Sequence, residues 1–286
     1  MAVSTGAIII PQIGIESAPA DLLSWSLVSC IQANLHVPTR EVVLSMHKAA
    51  GSLSGGTSAT ILALFTKYSL SDLSRSNAAY ALSPIPAPQP TTPLHHDSRL
   101  TGVRHLPTLG TLMVSPTHLT DRSVVHRSWG LFGGPTFYGP NFQYSGYLRV
   151  RNSLIGMLIH LGLGIGMLAL ILPPVRWLLR LFMYAPGMGA DRAQTKKEYL
   201  EYRAVATADT KAGEPLRYAK ARFRHEGGMY YLTGTFLAEA AFVILRGGDC
   251  EAKKMGGGVL TPATLGVEFV ERLNKGGCRI ETSMLD

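Results

Sequence analysis

The sequence points to an α/β fold, a mixed β-sheet with helices packed on it, and three observations carry that reading. Strand-like and helix-like runs alternate between Ala7 and Tyr68. Two segments with polar–apolar alternation, Tyr199 to Asp209 and Leu216 to Phe223, suggest an antiparallel pair. Helical spacing then returns at Met229 to Leu245 and Thr261 to Lys275, before a closing strand at Arg279 to Met284. An apolar run at mid-chain stands apart as an inserted helix or helical hairpin.

Taken in order, Ala7 to Ile13 is a short apolar run ending at Gly14 and reads as a buried strand. Asp21 to Leu35 follows with helical apolar spacing, and Ser17 or Asp21 is placed to cap it. Glu41 to His47 alternates as a strand; Ser54-Gly55-Gly56-Thr57 then turns into a helix over Ser58 to Tyr68. Five prolines between Ser83 and Pro93 force an extended loop. The stretch to about Arg122 carries few regular signals. Ser123 to Trp129 reads as a strand and Gly133 to Pro140 as a loop.

Length and composition narrow the function. The 286 residues suffice for a sizeable core, read as a single domain over 1–286 with 152–184 as an apolar insertion. Hydrophobic residues make up 46% and charged residues only 16%, a balance that points to a membrane or a lipidic ligand. The net charge of +8 is scattered, so no nucleic-acid footprint emerges. The exceptions are Arg149/Arg151, Arg176/Arg180 and the 217–224 strand. Cys30, Cys250 and Cys278 lack metal-type spacing and fit a reduced cytosolic compartment. No basic segment precedes the apolar stretch of Met1 to Ile10, so no signal peptide is read. Serine hydrolase, thiol enzyme and zinc readings fail for want of a motif. The adjacent His95-His96-Asp97 is a weak metal candidate in the Pro-rich loop.

The apolar run extends from Asn152 to Val175 without a Lys, Arg, Asp or Glu. As a helix it would be roughly 30 Å long, enough for a bilayer core. Arg151 and Arg176 flank it, and Trp177 and Tyr184 suit an interface. The readings are a membrane-dipping helix or hairpin, a core helix, or a true span. Gly156, Gly162, Gly164 and Gly166 permit close helix packing under the first two.

Several segments carry a family resemblance: Gly14-Ile15-Glu16-Ser17-Ala18-Pro19-Ala20-Asp21-Leu22, Ser54-Gly55-Gly56-Thr57, Pro186-Gly187-Met188-Gly189 and Gly257-Gly258-Val259-Leu260-Thr261-Pro262-Ala263. Together they resemble saccharopine dehydrogenase-like oxidoreductases, the trans-acting enoyl reductases among them. The resemblance implies a mixed sheet with helices on one face, a homodimer, and a preceding dinucleotide-binding half. Because its first segment starts close to Met1, the sequence reads as the substrate half alone. The one literal Gly-x-Gly-x-x-Ala match, Gly164 to Ala169, lies inside the apolar run with no strand before it and no well-placed acid after it. It lacks what a pyrophosphate needs, and no cofactor is expected.

The resemblance also nominates the site. Glu16, where the family carries Asp, stands with Ser17 and Asp21 at the mouth of the old cleft. His47, followed by Lys48, ends a strand just before the Ser54, Gly55, Gly56, Thr57 turn, whose small residues let a ligand approach backbone amides. His225 to Thr233 replaces a family stretch resembling Asp-Pro-Gly-Tyr, and Tyr230 or Tyr231 retains the tyrosine. Glu239 matches a Glu-Ala-Ala stretch and reads as structural. Catalytic roles are expected for His47, Tyr230 and Glu16, and substrate contacts for Ser17, Asp21, Ser54, Gly55, Gly56, Thr57 and Tyr231. A structural reading stands beside each: Asp21 as a helix cap, His47 as a strand-end residue, and His225 to Thr233 as a turn.

Three functions follow. One is a repurposed, cofactor-independent enzyme performing cyclase- or isomerase-type chemistry on an apolar metabolite in a hydrophobic pocket. Another is an NADP-dependent enoyl-reductase-like oxidoreductase whose nucleotide half comes from a partner chain or is lost through a truncated gene model. The third is a non-catalytic, membrane-associated binding protein. The expected location is the cytoplasmic face of an intracellular membrane or a lipid droplet.

Overall fold

In the computed structural model, the described residues are 1–48, 51, 53–88, 101–189, 191–211 and 213–285. His95, His96 and Asp97 lie outside them, as do the later prolines of the expected loop. Among the described residues, no cluster of His, Cys, Asp or Glu is arranged to hold a metal ion.

Seven strands form the main sheet: β1 (Thr39–Lys48), β2 (Val103–Leu106), β3 (Gly110–Val114), β4 (Gln143–Arg149), β5 (Tyr199–Ala208), β6 (Tyr218–Glu226) and β7 (Cys278–Leu285). Their spatial order is β2-β3-β4-β1-β5-β6-β7. Only the β1–β4 pair is parallel, which makes the sheet mixed. Central β1 is buried on both faces. Val42 and Leu44 enter the main core, whereas Val43 points the other way into a smaller cluster with Leu109, Leu112 and Tyr147. That alternation is what a period of two dictates.

The helices are α1 (Ala18–Leu35), α2 (Gly55–Lys67), α3 (Leu70–Ser76), α4 (His118–Leu131), α5 (Ser153–Ala169), α6 (Pro173–Arg180), α7 (Met229–Arg246) and α8 (Gly266–Lys275). Helix α1 crosses β1, β5, β6 and β7, α4 lies against β4 and α1, and α8 packs on α7 and β7. Leu22, Leu23, Leu27 and Ile31 of α1 are fully buried, as are Phe236 and Phe269 of α7 and α8. Burial of a large apolar side chain contributes about 1.5–3 kcal/mol, so this interface dominates the stability.

Several expectations need correction. The apolar start yields only Ile8–Ile9, which pairs in parallel with Gly258–Val259 outside the main sheet. Ser123 to Trp129 is not a strand but the middle of α4. Local β-preference of Val124-Val125 yields to burial of Val124, Val125, Ser128 and Trp129 on one helical face. The β2–β3 hairpin and β4 came from stretches with no regular signal. The predicted 261–275 helix is a 3-10 turn, Pro262–Leu265, before α8 begins. Of the four glycines of α5 only Gly156 packs closely, against Val103 and Val150; a Cβ at Gly162, Gly164 or Gly166 would meet nothing within 4 Å.

Candidate functional site

The turn before α2 and the start of α7 are joined by hydrogen bonds. Ser54 caps α2, its hydroxyl accepting the Thr57 N–H at 3.3 Å. The Tyr230 hydroxyl accepts the Ser54 N–H at 2.7 Å and lies 2.9 Å from the Thr57 hydroxyl. Burial alone would raise this phenol; hydrogen bonds from Ser54 and Thr57 outweigh it, against the opposing charge of Glu16, and hold the phenol below its ordinary value. Its ring is still 41% exposed, so solvent or a ligand reaches it.

Two further bonds hold the segment that carries Glu16. The Ile15 N–H donates to the Thr233 hydroxyl at 3.2 Å, one turn along α7 from Tyr230. On its other side, the Ser17 hydroxyl donates to the Asp121 carboxylate at 3.0 Å. Glu16 itself is exposed, between these two anchored residues, and its charge acts on Tyr230, Asp121 and Tyr202. Asp121 also accepts the Thr117 hydroxyl at 2.9 Å. Burial pushes its pKa up to about 7, against those hydrogen bonds and with help from Glu16. The buried hydroxyls of Tyr144 and Tyr202 have no hydrogen-bond partner, and burial followed by the charge of Asp121 raises both phenols. An ionisable carboxyl poised near neutrality beside donors is the pattern of acid–base sites.

Sequence reasoning missed Asp121, Tyr144 and Tyr202. Reading 123–129 as a strand hid the one available signal, Thr117 and Asp121 four residues apart at a helix start.

The other nominated residues fall elsewhere. Asp21 is fully buried and does not cap its own helix. It accepts the Ser128 hydroxyl and the Ala263 N–H (2.8 Å), tying α1 to α4 and to the Pro262 turn. Burial lifts it to about 7. Ser17 is equally buried. His47 shares the strand parity of Val43 and Ser45, so it lies on the opposite sheet face from Met46. Burial, then the charges of Arg203 and Arg149, lowers it to about 4, and neither ring nitrogen has a partner. On the same face a depression of about 500 Å³ is lined by Arg203, Lys220, Arg222 and Glu281. Lys48 rests over the Tyr199 ring, 5.9 Å from its centroid. Tyr231 is exposed and stacks on His225, 6.0 Å between centroids. Glu239 pairs with Arg272 at 2.7 Å.

Gly55 is buried beneath the 184–189 segment, donating its N–H to the Met188 carbonyl at 2.9 Å. A Cβ there would sit 1.9 Å from the Ala185 carbonyl oxygen and 2.6 Å from that of Tyr184. Backbone atoms cannot yield cheaply. Gly55→Ala should therefore release the 184–189 segment and cost about 1–3 kcal/mol. Limited proteolysis of wild type and variant checks this; equal cleavage around Tyr184 would refute it.

No protein-family profile matches this chain. It is similar to a protein of Mycobacterium tuberculosis provisionally named a trans-acting enoyl reductase, present in strains H37Rv and CDC 1551. The two are 27% identical over 304 residues, covering 99% of this chain and 69% of that protein. The similarity supports an enoyl-reductase-like kinship at most, and does not extend to the saccharopine dehydrogenase-like assignment.

Proposed function

We propose that this chain is an enzyme acting on an apolar metabolite by redox-neutral, acid–base chemistry of the cyclase or isomerase type, without a cofactor. The observation that supports the reading is the half-exposed Tyr230 phenol bonded to the Ser54 N–H, together with the Ile15–Ser17 segment, tied to Thr233 and Asp121, that carries Glu16. Glu16 accepts a proton from an activated C–H of the substrate and returns it to another atom of the same molecule, so that the product is an isomer and the carboxylate is restored. Tyr230 donates a hydrogen bond to the substrate oxygen on which charge develops, held in place by Ser54 and Thr57. Such chemistry needs orientation and a matched acid and base. Asp121, with its pKa near 7, is a further ionisable group behind the Ser17 hydroxyl.

A second reading has its own support, the similarity to a trans-acting enoyl reductase along almost the whole chain. There the same cleft would place an unsaturated substrate against a nicotinamide held by another segment or chain, with Tyr230 as proton donor.

The two differ in mass balance. Deleting the gene and comparing metabolite extracts should reveal an accumulated compound isomeric with the lost product; a compound short of two hydrogens would establish the reductase instead. With the substrate in hand, Glu16→Gln should slow turnover by about 10²–10⁴-fold at unchanged stability, because Glu16 is exposed. Full activity in that variant would end the assignment.

A further inference from the structure

Helix α5 is apolar except for Ser153 and His160; Gly156 and His160 face the body of the domain, and the rest of its surface is largely exposed. Gly156 is its one buried residue, closed over by Val103, Val150 and Met113. Further along, Leu158, Leu163, Ile165 and Leu168 are exposed, Leu168 by 66%. Pro173 and Pro174 then open α6, bent 107° from α5. Arg176 folds back to donate to the carbonyls of Leu170 and Ile171 at 2.7 and 2.8 Å, satisfying the end of α5. Trp177, Leu181 and Phe182 follow, all more than 60% exposed.

Exposed apolar surface on this scale marks an interaction site, and its chemistry selects the partner. A protein groove takes one stripe of a helix, but α5 has no polar face to leave outside one. Charge is confined to the ends: Arg149 and Arg151 before α5, Arg176 and Arg180 in α6. No acidic residue occurs between Asp121 and Asp191. Hydrocarbon along the helix with anionic phosphate at its ends is the arrangement of a bilayer leaflet. Among the described residues no single helix is long and apolar enough to cross a membrane. The 17 residues of α5 extend roughly 25 Å, short of a hydrocarbon core of about 30 Å.

We propose that α5 and α6 form a monotopic anchor seated in one leaflet of an anionic bilayer, with Arg149, Arg151, Arg176 and Arg180 at the headgroup phosphates. The anchor stands independently of the chemistry assigned to the cleft. A consequence rests on that chemistry: the chain returns from α6 through Tyr184 to Met188 directly onto the Gly55 turn, so the substrate class the cleft meets is one dissolved in lipid.

Flotation of the purified chain with phosphatidylcholine vesicles, with and without phosphatidylserine, tests the anchor. Wild type should rise with the anionic vesicles and less with the neutral ones. Leu163→Glu/Leu168→Glu should reduce flotation by about ten-fold or more with an unchanged circular dichroism spectrum, both side chains being exposed. Arg151→Gln/Arg180→Gln should remove the preference for phosphatidylserine. Wild type left at the bottom of both gradients would overturn the proposal, as would a Glu variant that floats like wild type. A wild-type dimer that does not float, split by the Glu pair in light scattering, would assign the surface to a second copy and also overturn it.

Discussion

Replacing Glu41 with Ala should destabilise the fold by about 3–5 kcal/mol. Glu41 and Arg104 form a two-pronged pair at 2.8 and 3.2 Å, and each side chain is only 7% exposed. Arg104 stands on the edge strand β2 and Glu41 on the central β1, so the pair ties the β2–β3 hairpin across the sheet. The guanidinium also lies 6.0 Å from the centre of the Tyr147 ring. Removing the carboxylate leaves a buried cation that cannot lose its proton, and that desolvation sets the size of the effect. Glu41→Gln keeps the shape and should recover only part of the loss. Urea unfolding followed by circular dichroism measures both. A loss below about 1 kcal/mol for the Ala variant, the range of an exposed pair, would mean that water reaches the site.

The second large effect is a pH dependence. Asp21 and Asp121 are lifted by burial from 3.8 to about 7. Between about pH 4 and 7 the folded chain therefore holds protons that the unfolded chain releases. Their contribution falls as pH rises through this window and is flat above it. Burial lowers His47 and His118 to about 4 and His126 to about 3. Their contribution is present above about 6.5 and is lost as pH falls below it. His126 shows why: its Nδ1 accepts the Tyr80 N–H at 3.1 Å, which protonation forbids. The two groups oppose each other, and wild type should show little net slope. Asp121→Asn removes one falling limb, so its stability relative to wild type should improve by about 2–4 kcal/mol between pH 5 and 8. Urea midpoints of the two proteins that move in parallel across that range would show that Asp121 is not titrating there.

The elements legible in the sequence were those whose local pattern and tertiary burial agree. Helix α1 repeats Leu22, Leu23, Leu27 and Ile31 on the buried side, and β6 alternates as its burial does, whereas β5 is buried on both faces along much of its length. Helix α4 was illegible because Val124-Val125 signals a strand locally while its partners, β4 and α1, are remote in sequence. For the site, motif spacing nominated Ser54, Thr57 and Tyr230, which hydrogen bonds join, and Glu16, whose neighbour Ile15 is bonded to the same helix at Thr233. It could not show that His47 faces away, because one residue of register moves a strand side chain to the other face. Nor could it reveal Asp121, whose environment comes from Ser17, a hundred residues earlier. The unpartnered Tyr144 and Tyr202 hydroxyls are likewise a property of burial alone.

The contact at Gly55 also has a mechanical meaning. The amide that binds the Met188 carbonyl belongs to the residue directly after Ser54, and the Ser54 amide binds the Tyr230 phenol. Residues 184–189 and the phenol are thus bonded to two successive amides of one turn, so a change in that backbone would alter both contacts together.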